Sequence, residues 1–467
     1  MGGSRALWVL VFSFAGLHLI LGALLPLVED EAYYALWATA PVAGYYDHPP
    51  MVAWMIAAGQ SVFGPAALGV RAGSVVIGGL ITLLTARTAF VLSRDTGVAF
   101  RAALWGKVML PFAVLGFAAT PDAPSVLFWT AAVWALIEAR ASNHATWFLA
   151  VGLFAGLGVL SKFTNLFFGL GLVGWLLTSR EGRAWLRHWQ VWAGAVTGLG
   201  VLVPFVIWNR QNDWIGLERQ FGRIADVQAF SALQYGAFWL SVIVLITPLV
   251  FWLVLRSLRD SRVPGVLIWT IAPVFLYLTY HATKSSAGGQ WLVPVFPTLA
   301  VMAALTAGRG WVAQLAAPTG LGLAAVVLAL GFWPGRVVIG GQNPFTQGRG
   351  WSAVIGDIRA QATVEGAEWI ATDAYGLTGQ LTWYLGREMP VWSVTEPKRY
   401  LFRGPLPAGL CRAKGVFVSR TAFASGVPYF TTSRPLPDIV RREGDREIMT
   451  YSAAVVEGLK DCPTPGG

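Results

Sequence analysis

Apolar runs, broken only by glycine, proline or a few charges, recur along the chain from Ala6 to Trp333. Crossing the ~30 Å hydrocarbon layer takes roughly twenty such residues in a helix. The runs fall at roughly 6–28, 66–92, 102–119, 124–139, 147–161, 163–178, 189–208, 233–255, 263–280, 290–306 and 314–333, about eleven in all. Some are short, and one adjacent pair would serve equally as a re-entrant hairpin. Only 12% of the 467 residues are charged and 55% are hydrophobic. That leaves too little polar surface for a water-soluble chain of this length. The pattern predicts a mainly α, polytopic membrane protein. The first run follows Arg5 without a clear small-x-small cleavage site, so it reads as a membrane helix rather than a cleaved signal peptide.

Basic residues orient the runs. With the N-terminus in the cytoplasm, the inner loops receive Arg5, Arg87, Arg94, Arg101, Arg140, Arg180, Arg183, Arg187, Arg256, Arg259, Arg262 and Arg309. The outer side receives Arg71, Lys162, Arg210, Arg219, Arg223 and Lys284. This is the positive-inside bias, and it accounts for the net charge of +10. No Lys/Arg-rich run interleaved with aromatics occurs, which disfavours nucleic acid as a partner. Acids collect on the other side: Glu29, Asp30, Glu31, Asp47, Asp122, Asp213, Glu218 and Asp226. The orienting rule gives acids little weight, so these need another reason.

Beyond Trp333 the chain becomes more polar. The stretch "GAEWIATDAYGLTGQLTWYLGREMPVWSV" reads as strand, helix, strand. The expected organisation is a membrane body over 1–333 and a small extracytoplasmic α/β domain over 334–467. Cys411 and Cys462 have no CxxC spacing; a disulfide and two unrelated thiols are equally open readings.

The outer loops hold the candidate chemistry. Solvated helix ends account for Glu29, Asp213 and Asp226. Asp30 and Glu31 differ, because "AYYALWATA" follows them and reads as an amphipathic helix lying on the bilayer. An acid held between such elements is a candidate general base. Asp122, in "ATPDAPS", is balanced between a helix cap and a functional acid. Lys162, in "LSKFTN", sits at a membrane boundary, where burying its charge costs about 2.5–3.5 kcal/mol. Snorkelling would relieve that cost, and so would an anionic partner such as a lipid phosphate. Lys107 lies deep in a predicted run with no evident role. His48 precedes Pro49-Pro50 and is read as a phosphate donor, a metal ligand or a plain loop residue. HExxH, Walker and dinucleotide motifs are missing from the sequence, which argues against a dedicated zinc site and a nucleotide energy source.

The stretch "EDEAYYALWATAPVAGYYDHPPMVAWMIAAGQSVFGPAALGVRAGSVVIG" resembles the first-loop signature of bacterial family-39-like glycosyltransferases, which are similar to protein O-mannosyltransferases and to the aminoarabinose transferase of lipid A. "TPDAPSVLFW", "GLGVLSKFTNLFFGLG", "VPFVIWNRQNDW" and "TDAYGLTGQLTWYL" follow in the family's order. The resemblance implies a GT-C fold in the bacterial cell membrane and an active site on the extracytoplasmic face. It also implies a polyprenyl-phosphate-linked sugar donor and inverting transfer to an envelope lipid, glycan or protein. It maps the catalytic pair onto Asp30 and Glu31. Lys162, His48, Arg219 and Lys284 become candidates for the donor phosphate, and Tyr34, Tyr46, Asp47 and Asp122 for substrate contact. Where the lipid A enzymes often have Lys before the two prolines, this chain has His48. Clustered acids would suit Mg²⁺ or Mn²⁺, but a single phosphate needs less neutralisation than a pyrophosphate, so metal-independent transfer ranks higher. The rival class is a transporter or flippase, which would place its charges near the bilayer midplane and carry inverted repeats.

Overall fold

The computed structural model describes residues 2–222, 229–333, 343–423 and 427–462. Arg223, Asp226 and the junction expected at 333/334 fall at least partly outside them. The helical body begins with α1 (Gly2–Leu24), α2 (Glu29–Trp37), α3 (Met51–Phe63) and α4 (Ala67–Ser93). It continues through α5 (Thr96–Val108), α6 (Leu110–Val114), α7 (Asp122–Ser142), α8 (Trp147–Ser161), α9 (Leu166–Thr178), α10 (Arg180–Trp185) and α11 (Trp189–Gln211). Then come α12 (Ile215–Gly222), α13 (Ala232–Ile246), α14 (Pro248–Ser257), α15 (Gly265–His281), α16 (Phe296–Thr306) and α17 (Trp311–Phe332). Every apolar run read from the sequence contains a helix. By length and composition, five helical stretches suffice to cross a membrane, or six if one bent pair counts as a span.

That pair is α13–α14, expected as one run over 233–255 but bent by 96°. Thr247 at the bend has φ 74°, a region that a β-branched residue adopts only under strain. Pro248 follows it and has no N–H to continue the helical ladder. Elsewhere small residues let helices approach closely. A methyl group on Gly152 of α8 would collide with the backbone of Gly194 in α11, and one on Gly156 with that of Gly198. Such small-residue contacts replace the hydrophobic driving force that lipid removes.

The remaining elements are α18 (Trp351–Glu365), β1 (Trp369–Thr372), α19 (Tyr375–Leu385), β2 (Val391–Ser393), α20 (Ala408–Arg412), β3 (Gly415–Ser419), β4 (Phe430–Glu443) and β5 (Arg446–Leu459). They build one sheet in the order β2-β1-β3-β5-β4. The pairs β1/β2 and β1/β3 are parallel, whereas β5 runs antiparallel to both β3 and β4. The expected strand–helix–strand is therefore the β1-α19-β2 crossover. Cys411 of α20 is bridged to Cys462, with the Cα atoms 5.8 Å apart, which decides between the two open readings of the cysteines.

This sheet segment packs on the helical body through α19 and α2. Gly376 and Gly379 face α2, and a Cβ on Gly379 would stand 2.8 Å from the Tyr33 nitrogen. Gln380 Nε2 donates to the Leu27 carbonyl at 2.8 Å. One buried cluster joins Leu27, Tyr33, Trp37, Tyr45 and Ile56 to Tyr400. This corrects the reading of α2 as a helix on the bilayer surface. Residues from Glu31 to Trp37 are all buried, because α19 covers the side that lipid was expected to cover.

Candidate active site

Consecutive residues of a helix point about 100° apart, so the three acids opening α2 cannot share a face. Each meets different surroundings. Glu31, 1% exposed, forms an ion pair with Arg71 of α4 through both carboxylate oxygens. It also accepts from the backbone N–H groups of Ala119 at 3.0 Å and Val28 at 3.2 Å. Arg71 directs its other N–H groups to the carbonyls of Gly22, Leu25 and Pro26, satisfying acceptors that the end of α1 leaves without helical partners. The pair thus pins α1, α2, α4 and the loop before α7 together. Breaking one side of such a buried pair typically costs about 3–5 kcal/mol. Glu31 was expected beside Asp30 as a second catalytic acid, but its carboxylate is fully engaged away from any open space. Arg71, counted among outer-loop bases, is likewise buried.

Glu29 is no solvated end either. Its carboxylate is paired with Arg420, just beyond β3. Asp47, also buried, accepts from Tyr33 Oη at 3.1 Å and from Arg399. Arg219 of α12 approaches its other oxygen at 3.7 Å, an ion pair too long for a hydrogen bond. Among the described residues, Asp30 alone of these four acids has no cationic partner. It is exposed, and among the described residues it accepts a hydrogen bond from Tyr375 Oη to Oδ1 at 3.1 Å. Surrounding protein pushes its pKa up; the charges of Glu29, Asp47 and Glu31 push the same way, and the Tyr375 hydroxyl opposes them. A carboxylate that is reachable and crowded at once is a stronger base than its arginine-paired neighbours.

The cationic side of the cluster is built by helix ends. Lys162 terminates α8 in an extended conformation, and Asp122 is the first residue of α7. Each charge stands at the helix end whose dipole favours it. Lys162 Nζ donates to Asp122 Oδ1 at 2.7 Å. Tyr34 is buried, and its hydroxyl is held protonated first by that burial and then by the negative charges of Asp30, Asp47 and Asp122. The His48 ring lies 6.1 Å from the Tyr34 ring. Tyr46 has both the Arg219 and Arg399 guanidinium groups 5.4 Å from its ring centre. Direct contacts thus link Asp30, Tyr46, Asp47 and Arg219 through Tyr375 and Arg399, and Tyr34 and His48 through Tyr33, while Asp122 and Lys162 form a pair of their own.

Among the described residues Lys284 makes none of these contacts. It is exposed in the turn after α15, where its backbone N–H bonds to the His281 carbonyl, and among the described residues its ammonium forms no ion pair. Lys107 is buried, with Nζ 5.2 Å from the Phe14 ring centre, a cation–π contact. Among the described residues no group of three or more His, Cys, Asp or Glu is arranged to hold a metal ion. Glu29, Glu31 and Asp47 are turned to arginines instead of to one another.

Sequence reading missed Arg71, Tyr375 and Arg399. The Gly376/Gly379 spacing was the available signal that α19 packs closely on another backbone. Nothing local marked Arg399, which reaches Asp47 across 352 residues.

The chain has known relatives. The family model for dolichyl-phosphate-mannose-protein mannosyltransferases matches residues 47–208. The lipid A galacturonosyltransferase RgtD of Rhizobium johnstonii is 27% identical over 394 residues, 76% of this chain and 77% of that one. The undecaprenyl phosphate-alpha-4-amino-4-deoxy-L-arabinose arabinosyl transferase of Pseudomonas aeruginosa is 30% identical over 205 residues, 39% of this chain and 35% of that one. The crystal structure of ArnT from Cupriavidus metallidurans bound to undecaprenyl phosphate superposes with a TM-score of 0.66 at 16% identity, covering 98% of this chain and 99% of that one. The resemblance first carried by "EDEAYYALW" thus extends along the chain, which is similar in sequence to membrane sugar transferases and has the GT-C fold of ArnT.

Proposed function

We propose that this chain is an integral-membrane glycosyltransferase that moves a sugar from a polyprenyl-phosphate donor to an envelope acceptor, with lipid A the favoured one, on the extracytoplasmic face of a bacterial cell membrane. The isolation of Asp30 carries the reading. In a loop whose other acids are neutralised by arginine, Asp30 is the accessible carboxylate, with its pKa raised. The acceptor hydroxyl attacks C1 of the sugar as Asp30 takes its proton, and the bond from C1 to the phosphate oxygen breaks with inversion. Lys162, Arg219 and His48 face the charge that gathers on the departing phosphate. Tyr34, Tyr46 and Asp122 line the sugar side, with Asp122 holding Lys162 until the phosphate arrives. Lys284, which makes none of these contacts among the described residues, is given no role in this scheme.

The donor class is supported by the relatives, whose names specify undecaprenyl phosphate-linked aminoarabinose and transfer to lipid A. The outer placement is supported by the basic-residue bias and by the Cys411–Cys462 bridge, a bond that persists in oxidising compartments. About eleven membrane passages over 1–333, and an outer α/β domain over 334–467 that docks on them through α19, complete the proposed organisation. A transporter fits less well, because the buried ion pairs of the candidate site, Glu31–Arg71 and Asp47–Arg399, involve the first loop and the C-terminal segment rather than the middle of the helices.

The test is direct. Full-length protein in nanodiscs is incubated with lipid A and a panel of undecaprenyl-phosphate sugars: 4-amino-4-deoxy-arabinose, galacturonic acid and neutral hexoses. Mass spectrometry should find lipid A heavier by one sugar residue with at least one donor. Uptake or flipping of these lipids by proteoliposomes without any transfer would overturn the reading in favour of transport.

A further inference from the structure

The β1-α19-β2 crossover does more than cover the first loop. Strand β1 lies between β2 and β3, so the chain leaves it in one direction for β2 while β3 lies on its other side. Ligand sites of open parallel sheets form at such a switch point, beyond the carboxyl ends of the strands. Here that position meets the acidic first turn of α2. Arg420, following β3, holds Glu29, and Tyr375, opening α19 after β1, reaches Asp30.

The tyrosine is itself tightly placed. Its ring meets the Tyr33 ring edge-to-face at 5.1 Å, and the Arg399 guanidinium stands 4.7 Å from its ring centre. Gly376 beside it packs against Glu29, leaving no room for a side chain. A ring so clamped holds its hydroxyl at one point. That hydroxyl bonds to Oδ1 of Asp30, so Oδ2 is the oxygen left for a substrate proton.

We propose that Tyr375 is a positioning residue for Asp30, fixing one carboxylate oxygen so that the other is aimed at the acceptor hydroxyl, and that the transfer site is therefore completed by the C-terminal segment. The inference rests on Asp30 being the base. It gives the segment a part in the chemistry, beyond any choice of acceptor. Burial and the adjacent Asp30 charge hold the Tyr375 hydroxyl well above its ordinary pKa, so it remains a donor throughout the neutral range. The groups bearing on Asp30 are Glu29 and Glu31 on its own helix, Asp47 from the following turn and Tyr375 from α19. Of these, only the tyrosine favours the ionised carboxylate.

Tyr375→Phe separates positioning from structure, because the ring contacts with Tyr33 and Arg399 remain. Two readouts apply to full-length protein in nanodiscs. Infrared titration of the Asp30 carboxyl band, taken as wild type minus D30N, should show its midpoint displaced upward by about one pH unit in Y375F. With the donor that the panel identifies, kcat should fall about tenfold with an unchanged KM for the donor, and the acid limb of the rate profile should move up with the titration. An unmoved midpoint or an unchanged kcat in folded Y375F overturns the proposal. A D30N protein that transfers sugar at the wild-type rate overturns the reading of Asp30 as base instead, so the two failures are distinct.

Discussion

The two ends of the helical body both carry charge, but they use it differently. At the end assigned to the cytoplasm the ion pairs are open to water: Arg140–Glu181, with side chains 21% and 48% exposed, and Arg262–Asp260, with 59% and 25%. At the other end Glu31–Arg71 is 1% exposed on both sides and Asp47–Arg399 is 8%. Water screens the first kind, leaving each pair worth about 0–1 kcal/mol. The second kind exists only because other hydrogen bonds satisfy what water would have satisfied. On the proposed topology the first kind orients the chain. The second is interior structure, and by engaging Glu29, Glu31 and Asp47 it leaves Asp30 as the proposed base.

Substitutions should therefore diverge between the ends and, within the outer end, between buried structural pairs and groups proposed to meet the donor phosphate. Arg71→Ala strands Glu31 and the last carbonyls of α1, and should lower stability by about 3–5 kcal/mol; denaturation in detergent, followed by tryptophan fluorescence, reads this directly. A melting curve matching wild type would show that the pair is not structural. Lys162→Met, by contrast, should leave folding intact and reduce turnover by about 10²–10³-fold, the usual loss on removing one group that stabilises developing negative charge. Steady-state transfer at saturating donor checks it.

The pH profile sharpens the contrast. Because the Asp30 pKa is raised, transfer should rise with pH through a value above the ordinary aspartate range near about 3.9. The stability sign is the reverse. The native state holds this proton more tightly than the unfolded chain does, so the stability Asp30 contributes is present in acid and is lost as pH climbs from about 3.9 through the raised value. In D30N this component should vanish from melting curves taken across that window. The smallest effect belongs to the end assigned to the cytoplasm: Arg140→Ala should change stability by less than about 1 kcal/mol and leave the transfer rate within twofold. A large loss there would erase the distinction between the ends.

The helical body was legible because lipid imposes a length and a composition on whatever crosses it. Its bends were less so, since Thr247 takes an unusual φ only in the context of Pro248 and the neighbouring helices. The site was legible where its residues are local, as in the acid-rich opening of α2 and the Asp122 and Lys162 loops. Its division of labour was not, because Glu31 is claimed by an arginine forty positions on, and Asp47 and Asp30 by residues more than three hundred positions on. Neighbours in sequence took separate roles as soon as α2 turned them about 100° apart.

The most direct test is the rate of sugar transfer by Asp30→Asn, measured beside wild type in nanodiscs at equal folded fraction. An essential general base predicts a loss of about 10²–10⁴-fold with melting at neutral pH equal to or slightly above wild type. Transfer within twofold of wild type by a folded D30N protein would contradict the assignment of Asp30 on which the site has been built.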